Sequence, residues 1–322
     1  MTTTSCAAAR LALRRGSAAG ATTTVLRAQH EHEHARLAGE APSRSRRALV
    51  GGVAAAIGAG AFASPSSVGV TGRAVADEDG VLRVGASAPF RTIGEALQAA
   101  RALDESRRIV ELVDRAYDER IVIDVDGVTI VAASAPDRGS SLVTLQHRTD
   151  RPYESTVTIA ARGVRISGLA VRHASKSVAN NYAVFVVEGA SATIERCAAA
   201  SETGSGFGIE GADATLVDCE ASGCASHGVV GLGDASGEPG SATVTIERCT
   251  CDRNGVDGVL IRGGAVIRMR DSRAYENGRY GVELIDCEGA LDSNVIGRNR
   301  KGAVVATKGA ERLVAITNTA AT

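Results

Sequence analysis

The sequence is poor in aromatic residues. Its 322 residues include five tyrosines, four phenylalanines and no tryptophan, or 3% of the chain. An interior with so few rings has to be filled by Val, Ile, Leu, Ala and Cys. The 37 glycines, combined with many small β-branched side chains, are typical of stacked strands joined by tight turns.

The chain also lacks net charge, a basic block and long apolar runs. It has 36 basic and 37 acidic side chains, a formal net charge of −1, so a nucleic-acid partner is not expected. No apolar run is long enough for a polytopic membrane protein. No C-x-x-C pair occurs, which argues against a zinc ribbon. We therefore expect a protein or an acidic glycan as the partner, and no membrane span in the mature chain.

The near-neutral charge is the sum of two unlike parts. Residues 1–76 hold nine arginines and three acids, so residues 77–322 carry 36 − 9 = 27 basic and 37 − 3 = 34 acidic groups, a net charge of −7. The first 29 residues contain no acid and are rich in Ala, Thr and Arg, a composition typical of transit peptides. Behind them come the twin arginines Arg46 and Arg47, a mildly apolar stretch and an A-x-A site that ends at Ala76.

This order of parts resembles the bipartite presequences of thylakoid lumen proteins that use the twin-arginine route. The resemblance implies that residues 1–76 are a transit and twin-arginine signal, which is disordered and removed. It also implies that the mature chain acts in the chloroplast thylakoid lumen. The alternative is export to the periplasm by a twin-arginine route.

The second part of the chain repeats itself. Similar segments end at Cys197, Cys219, Cys249, Ser272 and Asn294, with spacings of 22, 30, 23 and 22 residues. The longer interval contains an insertion rich in Gly, Ser and Pro. A period in the low twenties is the signature of a solenoid, and a unit already filled with short strands and turns leaves no room for a helix.

Each repeat continues into a turn and then into another strand. Asn254, Asn277 and Asn299 lie five residues after their markers, and glycines follow them before short apolar strands. This coil resembles the right-handed parallel β-helix of the pectate lyase superfamily. The resemblance implies an all-β solenoid of about eight coils over residues 127–322. The three asparagines should stack as an amide ladder.

The segment before the repeats has the features of a cap. The Phe-x-Thr-Ile-x-x-Ala-Leu sequence that begins at Phe90 predicts an amphipathic helix, and a strand and a Tyr-x-Glu sequence at Tyr117 follow it. This arrangement is similar to the N-terminal cap of many β-helices, including pectin methylesterases. Residues 77–126 are therefore predicted to cap the solenoid, because an open end would expose unpaired backbone and core.

The same register predicts two inward columns and an outward charged face. The first column contains Leu169, Cys197, Cys219 and Cys249, and the second contains Ala199, Ala221, Cys251, Ala274 and Ile296. On the outward face, basic and acidic residues alternate between neighbouring coils. The ligand-binding candidates on this face are Glu195, Arg196, Asp218, Glu247, Arg248, Arg270 and Asp271. The alternative is a solvent face whose exposed ion pairs contribute about 0–1 kcal/mol each.

The catalytic candidates are Asp218, Asp257 and Asp271. Asp252, Asp257, Glu283 and Asp286 crowd the later coils and would form an acid–base or metal site if their turns converged. Asp257 is predicted to share a turn position with His227, Tyr280 and Lys301. A mixed column of this kind is also typical of a solvated turn.

The sequence lacks the catalytic motifs of the pectin-cleaving families that it resembles. The paired carboxylates of polygalacturonases are absent, as is the core motif of pectin methylesterases, so the resemblance implies a fold rather than an activity. We expect a binding or structural module that presents long sheet faces to a protein or glycan. The alternative is a divergent polysaccharide lyase or hydrolase acting on an acidic glycan. We expect no cofactor, with Ca²⁺ required only if the lyase alternative holds.

Six cysteines remain after residue 76. Stacked inward cysteines usually act as small apolar side chains, but neighbours one coil apart lie within disulfide range. The register therefore also predicts a disulfide between Cys219 and Cys249.

Overall fold

The computed structural model describes residues 80–133, 142–177, 181–234 and 236–320. The chain divides into two compact units, residues 1–69 and 70–322, and every described residue belongs to the second. The predicted presequence lies outside the described residues. Among the described residues, no helix is long and apolar enough to cross a membrane.

The described residues form a right-handed parallel β-helix with three sheets, which we name A, B and C. Sheet A contains β1 (Val81–Val84), β2 (Ile109–Leu112), β5 (Thr129–Ala132), β8 (Val164–Ser167), β11 (Ser191–Glu195), β14 (Asp213–Val217), β17 (Thr243–Glu247), β19 (Val266–Arg270), β20 (Arg273–Tyr275), β22 (Glu288–Gly297) and β24 (Val314–Ala320). Sheet B contains β4 (Ile121–Ile123), β7 (Val157–Ile159), β10 (Tyr182–Val186), β13 (Ser205–Glu210), β16 (Val229–Leu232), β18 (Val259–Arg262), β21 (Tyr280–Ile285) and β23 (Gly302–Thr307). Sheet C contains β3 (Ala116–Asp118), β6 (Val143–Thr149), β9 (Leu169–Ser175), β12 (Ala198–Ser201) and β15 (Glu220–Ala221).

The predicted inward columns are present in the core. Both sets of residues are buried in one continuous apolar cluster, and the strand register places Ala199 beside Ala221 and Ala274 beside Ile296. The Cys column continues further than predicted, through Ser272 and Asn294, because each side chain accepts the backbone N–H of the coil before it. Small stacked side chains fill the interior without rings, which accounts for the shortage of aromatics.

A left-handed residue directly follows the sheet A strand in successive coils, at the ends of β11, β14, β17 and β19. Its φ is 48° at Arg196, 52° at Asp218, 51° at Arg248 and 50° at Asp271. In an earlier coil Gly168 has this role, with φ 83°. The non-glycine residues bear a cost of about 1–2 kcal/mol each, which the flanking parallel ladders offset. The alternating charges predicted on the outward face are therefore partly turn residues.

The predicted cap is also present. Helix α1 (Ile93–Ala100) begins with a capping box between Thr92 and Glu95, the second helix is α2 (Ala310–Leu313), and a single 3₁₀ turn spans Glu105–Arg107. Both carboxylate oxygens of Glu119 accept further N–H groups at the start of α1. Since the first N–H groups of a helix lack partners within it, Glu119 ties the capping helix to the coils.

Candidate functional site

Three of the outward acids predicted as ligands on sheet A are paired with arginines. Asp218 accepts two hydrogen bonds from Arg248, at 3.0 and 3.1 Å, and Glu247 lies 2.8 Å from Arg270. Glu195 lies 3.6 Å from Arg196. Such pairs on a solvent face stabilise the fold by about 0–1 kcal/mol each. Ca²⁺ requires several oxygens that converge, and this donor set does not fit it because each of these acids faces a guanidinium.

One depression lies on the outer face of sheet A. Its volume is about 520 Å³, and Glu247, Arg268, Arg270, Glu288 and Asp292 contribute its charged lining. Positive and negative groups alternate around the depression, so it has no strong preference for one sign of charge. Glu247 and Arg270 are the two predicted binding residues that it contains.

A second group of charges lies on the outer face of sheet B, where Asp257 is found. His227, Asp257 and Tyr280 each precede by two residues a valine that pairs in the sheet register, at Val229, Val259 and Val282. They therefore form one column along the axis, as predicted. The prediction that Lys301 shares this column is wrong. Tyr280 pairs with Gly302, because in this coil the glycine itself holds the column position, three residues after Asn299.

The column brings a buried histidine and a buried carboxylate together. Nδ1 of His227 lies 3.2 Å from Oδ2 of Asp257, and both side chains are almost fully buried. Neither atom has another hydrogen-bond partner in the described structure. Oδ1 of Asp257 accepts the backbone N–H of Tyr280 at 2.9 Å. The carboxylate is thus fixed on one side, and its second oxygen faces the imidazole.

Arg279 joins Asp257 to a second carboxyl group. Its Nη1 lies 3.8 Å from Oδ2 of Asp257, and its Nη2 donates to Oε1 of Glu283 at 2.8 Å. Glu283 keeps about a tenth of its side chain exposed and Arg279 about a sixth, whereas Asp257 is fully buried. Glu283 and Arg279 therefore form the accessible edge of this buried cluster, which we define as His227, Asp257, Arg279 and Glu283.

The two carboxyl groups of the cluster have opposed acidities. Burial raises the pKa of Glu283, and the neighbouring charge of Asp257 raises it further. Burial also acts to raise the pKa of Asp257, but His227, the N–H of Tyr280 and Arg279 together outweigh it, so that pKa is lowered. Pairs of titratable groups whose environments separate their pKa values are characteristic of acid–base sites.

The other acids predicted to converge do not join the cluster. Asp252 pairs with Arg273 at 2.9 Å and accepts the N–H of Tyr275 at 2.8 Å. Asp286 lies beyond β21 in a left-handed turn, with φ 51°. Asp252 thus repeats the contacts of Asp257 five residues earlier along the chain, without a histidine ion pair.

The sequence reasoning missed Arg279, which holds the cluster together. The available signal was that Arg279 immediately precedes Tyr280, which belongs to the column of Asp257. Within the ranges that the structure describes, no three His, Cys, Asp or Glu side chains are grouped so that they could hold a metal ion.

The six described cysteines are buried free thiols. Cys219 and Cys249 lie on adjacent coils as predicted, and the backbone N–H of Cys219 donates to Sγ of Cys249 at 3.3 Å. The two thiols also donate to the carbonyl groups of Ile194 and Leu216, at 3.3 and 3.4 Å. Both sulfurs therefore make hydrogen bonds to backbone groups of neighbouring coils. They do not form the disulfide that the sequence predicted.

Comparisons with known proteins concern the solenoid. The family model described as the right handed beta helix region matches residues 156–320. A pectin methylesterase from Aspergillus niger is 13% identical, with a TM-score of 0.40 over 77% of this chain and 87% of that one. The A-module of a mannuronan C-5 epimerase from Azotobacter vinelandii is 16% identical, with a TM-score of 0.39 over 65% and 71%. The pectate lyase Pel9A is 14% identical, with a TM-score of 0.40 over 74% and 78%. No curated protein matches the sequence.

Proposed function

The chain belongs to the right-handed β-helix family, and from this premise we propose that it is an enzyme that performs acid–base chemistry on an acidic glycan at the outer face of sheet B. The observation that carries the proposal is the contact of one guanidinium, that of Arg279, with two buried carboxyl groups, at 2.8 Å from Glu283 and 3.8 Å from Asp257. The pKa values of these two groups are moved in opposite directions. This is the lyase alternative left open by the sequence.

The contact favours elimination over hydrolysis. Glycosidases separate their two carboxyl groups by about 5–5.5 Å or about 6.5–9.5 Å, so that an anomeric carbon or a water fits between them. Here the guanidinium of Arg279 lies 2.8 Å from Glu283 and 3.8 Å from the fully buried Asp257, which leaves no such gap for a water or a sugar. A single base with a cation beside it suits the removal of a proton from the carbon next to a carboxylate.

In this mechanism Glu283 is the catalytic residue. A raised pKa makes the ionised glutamate a stronger base than an ordinary one. Glu283 takes the proton from C5 of a uronate, the electron pair forms the C4–C5 double bond, and the C4–O bond breaks, with the leaving oxygen protonated by water. Arg279 orients Glu283 through the 2.8 Å hydrogen bond that it donates to Oε1. Asp257 and His227 are positioning residues, because they hold Arg279 and Glu283 in place.

The test is incubation of the full chain with polygalacturonate and with alginate, with the ultraviolet absorbance of the unsaturated product as readout. Glu283→Gln should abolish product formation. Glu276→Gln, which alters an exposed glutamate 3.7 Å from Arg298, should not. Absence of product with both polymers, or equal rates for the two variants, would sink the proposal.

A non-catalytic binding module is the second candidate. The depression on sheet A favours it, because Arg268 lines that depression and has no ion-pair partner in the part of the chain that the structure describes. This candidate predicts that polyuronide or protein binding survives Glu283→Gln and is weakened by Arg268→Ala.

We also propose the thylakoid lumen as the place of action, on the basis of the acid-poor leader and the twin arginines at positions 46 and 47. Sequencing the N-terminus of the chain recovered from fractionated plastids tests this. Recovery with residues 1–76 intact would contradict it.

A further inference from the structure

Lys301 lies at the accessible edge of the buried cluster. Its backbone N–H donates to the carbonyl oxygen of Arg279 at 2.7 Å, which fixes the residue one coil from the cluster. Its Nζ lies 6.0 Å from the ring centroid of Tyr280, and Arg279 lies 5.3 Å from the same centroid. Two cations therefore flank the ring of Tyr280, and Lys301 is the exposed one.

The two cations differ in their ion-pair partners. The guanidinium of Arg279 lies 2.8 Å from Glu283 and 3.8 Å from Asp257, so its charge is committed to the cluster. Within the described ranges, no carboxylate lies within ion-pair distance of the Lys301 ammonium group. Lys176, by contrast, lies 3.2 Å from Asp150. In the part of the chain that the structure describes, the positive charge of Lys301 is thus not neutralised by a carboxylate, and it lies beside the acid–base cluster.

A structural role does not account for Lys301. An ammonium group 6.0 Å from a ring centroid is at the outer limit of cation–π contact, so it adds little to the fold. The side chain is exposed to solvent. An exposed lysine without an acid partner is suited to bind an anion that arrives from solvent.

We propose that Lys301 binds the carboxylate of the substrate and thereby makes the site selective for uronates over neutral sugars. The uronate lies along the ring of Tyr280, with its carboxylate on Nζ of Lys301 and its C5 toward Glu283. This assignment rests on the proposed function, since it takes the cluster as the reacting site. Recognition of the carboxylate occurs in the ground state, so it acts on substrate affinity rather than on proton transfer.

The experiment measures binding and turnover separately. Affinity electrophoresis of the full chain in gels with polygalacturonate or with a neutral glucan, at low and high salt, reports binding. Lys301→Ala should weaken polygalacturonate binding by about 10-fold or more, because a charge-assisted hydrogen bond is lost, and should reduce its salt dependence. Lys301→Arg should retain binding. Lys308→Ala removes an exposed lysine of the following turn and should leave binding unchanged.

Turnover distinguishes this inference from the proposed function. Lys301→Ala should raise KM for polygalacturonate with kcat unchanged, whereas Glu283→Gln should remove kcat and leave binding intact. Turnover by the wild type with an unaltered KM and affinity in Lys301→Ala would overturn the role of Lys301 but not the enzyme. Salt-sensitive binding that requires Lys301 in a chain without turnover would support carboxylate recognition and overturn the enzyme.

Discussion

Oδ1 of Asn277 accepts two hydrogen bonds from Asn254 on the preceding coil, one from the backbone N–H at 3.0 Å and one from Nδ2 at 3.1 Å. Nδ2 of Asn277 donates to the carbonyl of Cys251 and to Oδ1 of Asn299, both at 2.9 Å. One buried amide therefore satisfies polar groups of three neighbouring coils, at the turns that lead into the strands of sheet B.

Asn277→Ala should destabilise the fold by roughly 2–4 kcal/mol, because it leaves buried donors and acceptors without partners. Asn299→Ala is the matched control at the next rung. Asn299 is only half-buried, so water replaces its amide and the loss should be smaller. Chemical denaturation of the two variants measures the difference. An equal loss for both would show that burial along the ladder does not set its strength.

The solenoid could be predicted because its coils correspond to repeats that are visible in the sequence. Cys197, Cys219 and Cys249 end nearly identical segments, and identical side chains in parallel coils stack in register. Asn254 and Asn277 carry the same information for the turn. The helix at Phe90 was also predictable, since its capping residues and apolar spacing are local.

The buried cluster could be predicted only in part. The column of His227, Asp257 and Tyr280 follows from the register, but the orientation of Arg279 toward Glu283 depends on side-chain geometry that a repeat does not encode. Lys301 was misplaced by one position because the residue before the glycine holds the column position in the earlier coils, whereas Gly302 itself holds it in this one. The left-handed conformation of Arg196 was missed because only Gly168 signals positive φ by its residue type.

The raised pKa of Glu283 should appear in the pH dependence of the free energy of unfolding. The raised pKa of Glu283 stabilises the folded state below the usual glutamate range, and this contribution is lost as pH rises through the folded pKa. Glu283→Gln cannot ionise, so its stability relative to the wild type should rise between roughly pH 4 and pH 7. Denaturation at the two pH values tests this.

Asp257 should show the opposite sign. Its lowered pKa stabilises the folded state above the usual aspartate range, and the contribution is lost as pH falls. Asp257→Asn should therefore be most destabilised relative to the wild type near neutral pH. Asp252→Asn is the matched control, because burial raises the pKa of Asp252. A deficit at Asp257→Asn that did not change with pH would contradict the assignment.

His173 should make the fold sensitive to mild acid. Burial, and then the neighbouring His147, lower its pKa from 6.5 to about 4, and its Nδ1 lies 3.1 Å from the hydroxyl of Thr156. The folded state favours neutral imidazole, so stability present above pH 6.5 is lost as pH falls toward about 4, by at most about 3 kcal/mol. His173→Gln should reduce this loss, and His147→Gln should keep most of it. An unchanged acid transition in His173→Gln would rule His173 out as its cause.

Cys197, Cys224 and Cys287 should be unreactive in the native chain. Burial raises the pKa of Cys197 and Cys224 to about 11 and that of Cys287 to about 12. Alkylation proceeds through the thiolate, so native protein near pH 8 should react slowly, and denatured protein should react at every thiol. Mass spectrometry of alkylated peptides measures both.

The same alkylation experiment tests whether Cys219 and Cys249 are free thiols hydrogen-bonded to the backbone or are joined in a disulfide. The hydrogen bonds of Cys219 and Cys249 to backbone groups predict that both residues are alkylated in denaturant without a reductant. If these two alone resist alkylation until a reductant is added, the disulfide predicted from the sequence is present. Cys219→Ser then separates the two cases further. A serine hydroxyl at this position should keep the backbone hydrogen bonds and preserve stability, as Ser272 does naturally two coils later. Loss of a disulfide should instead cost about 2–4 kcal/mol.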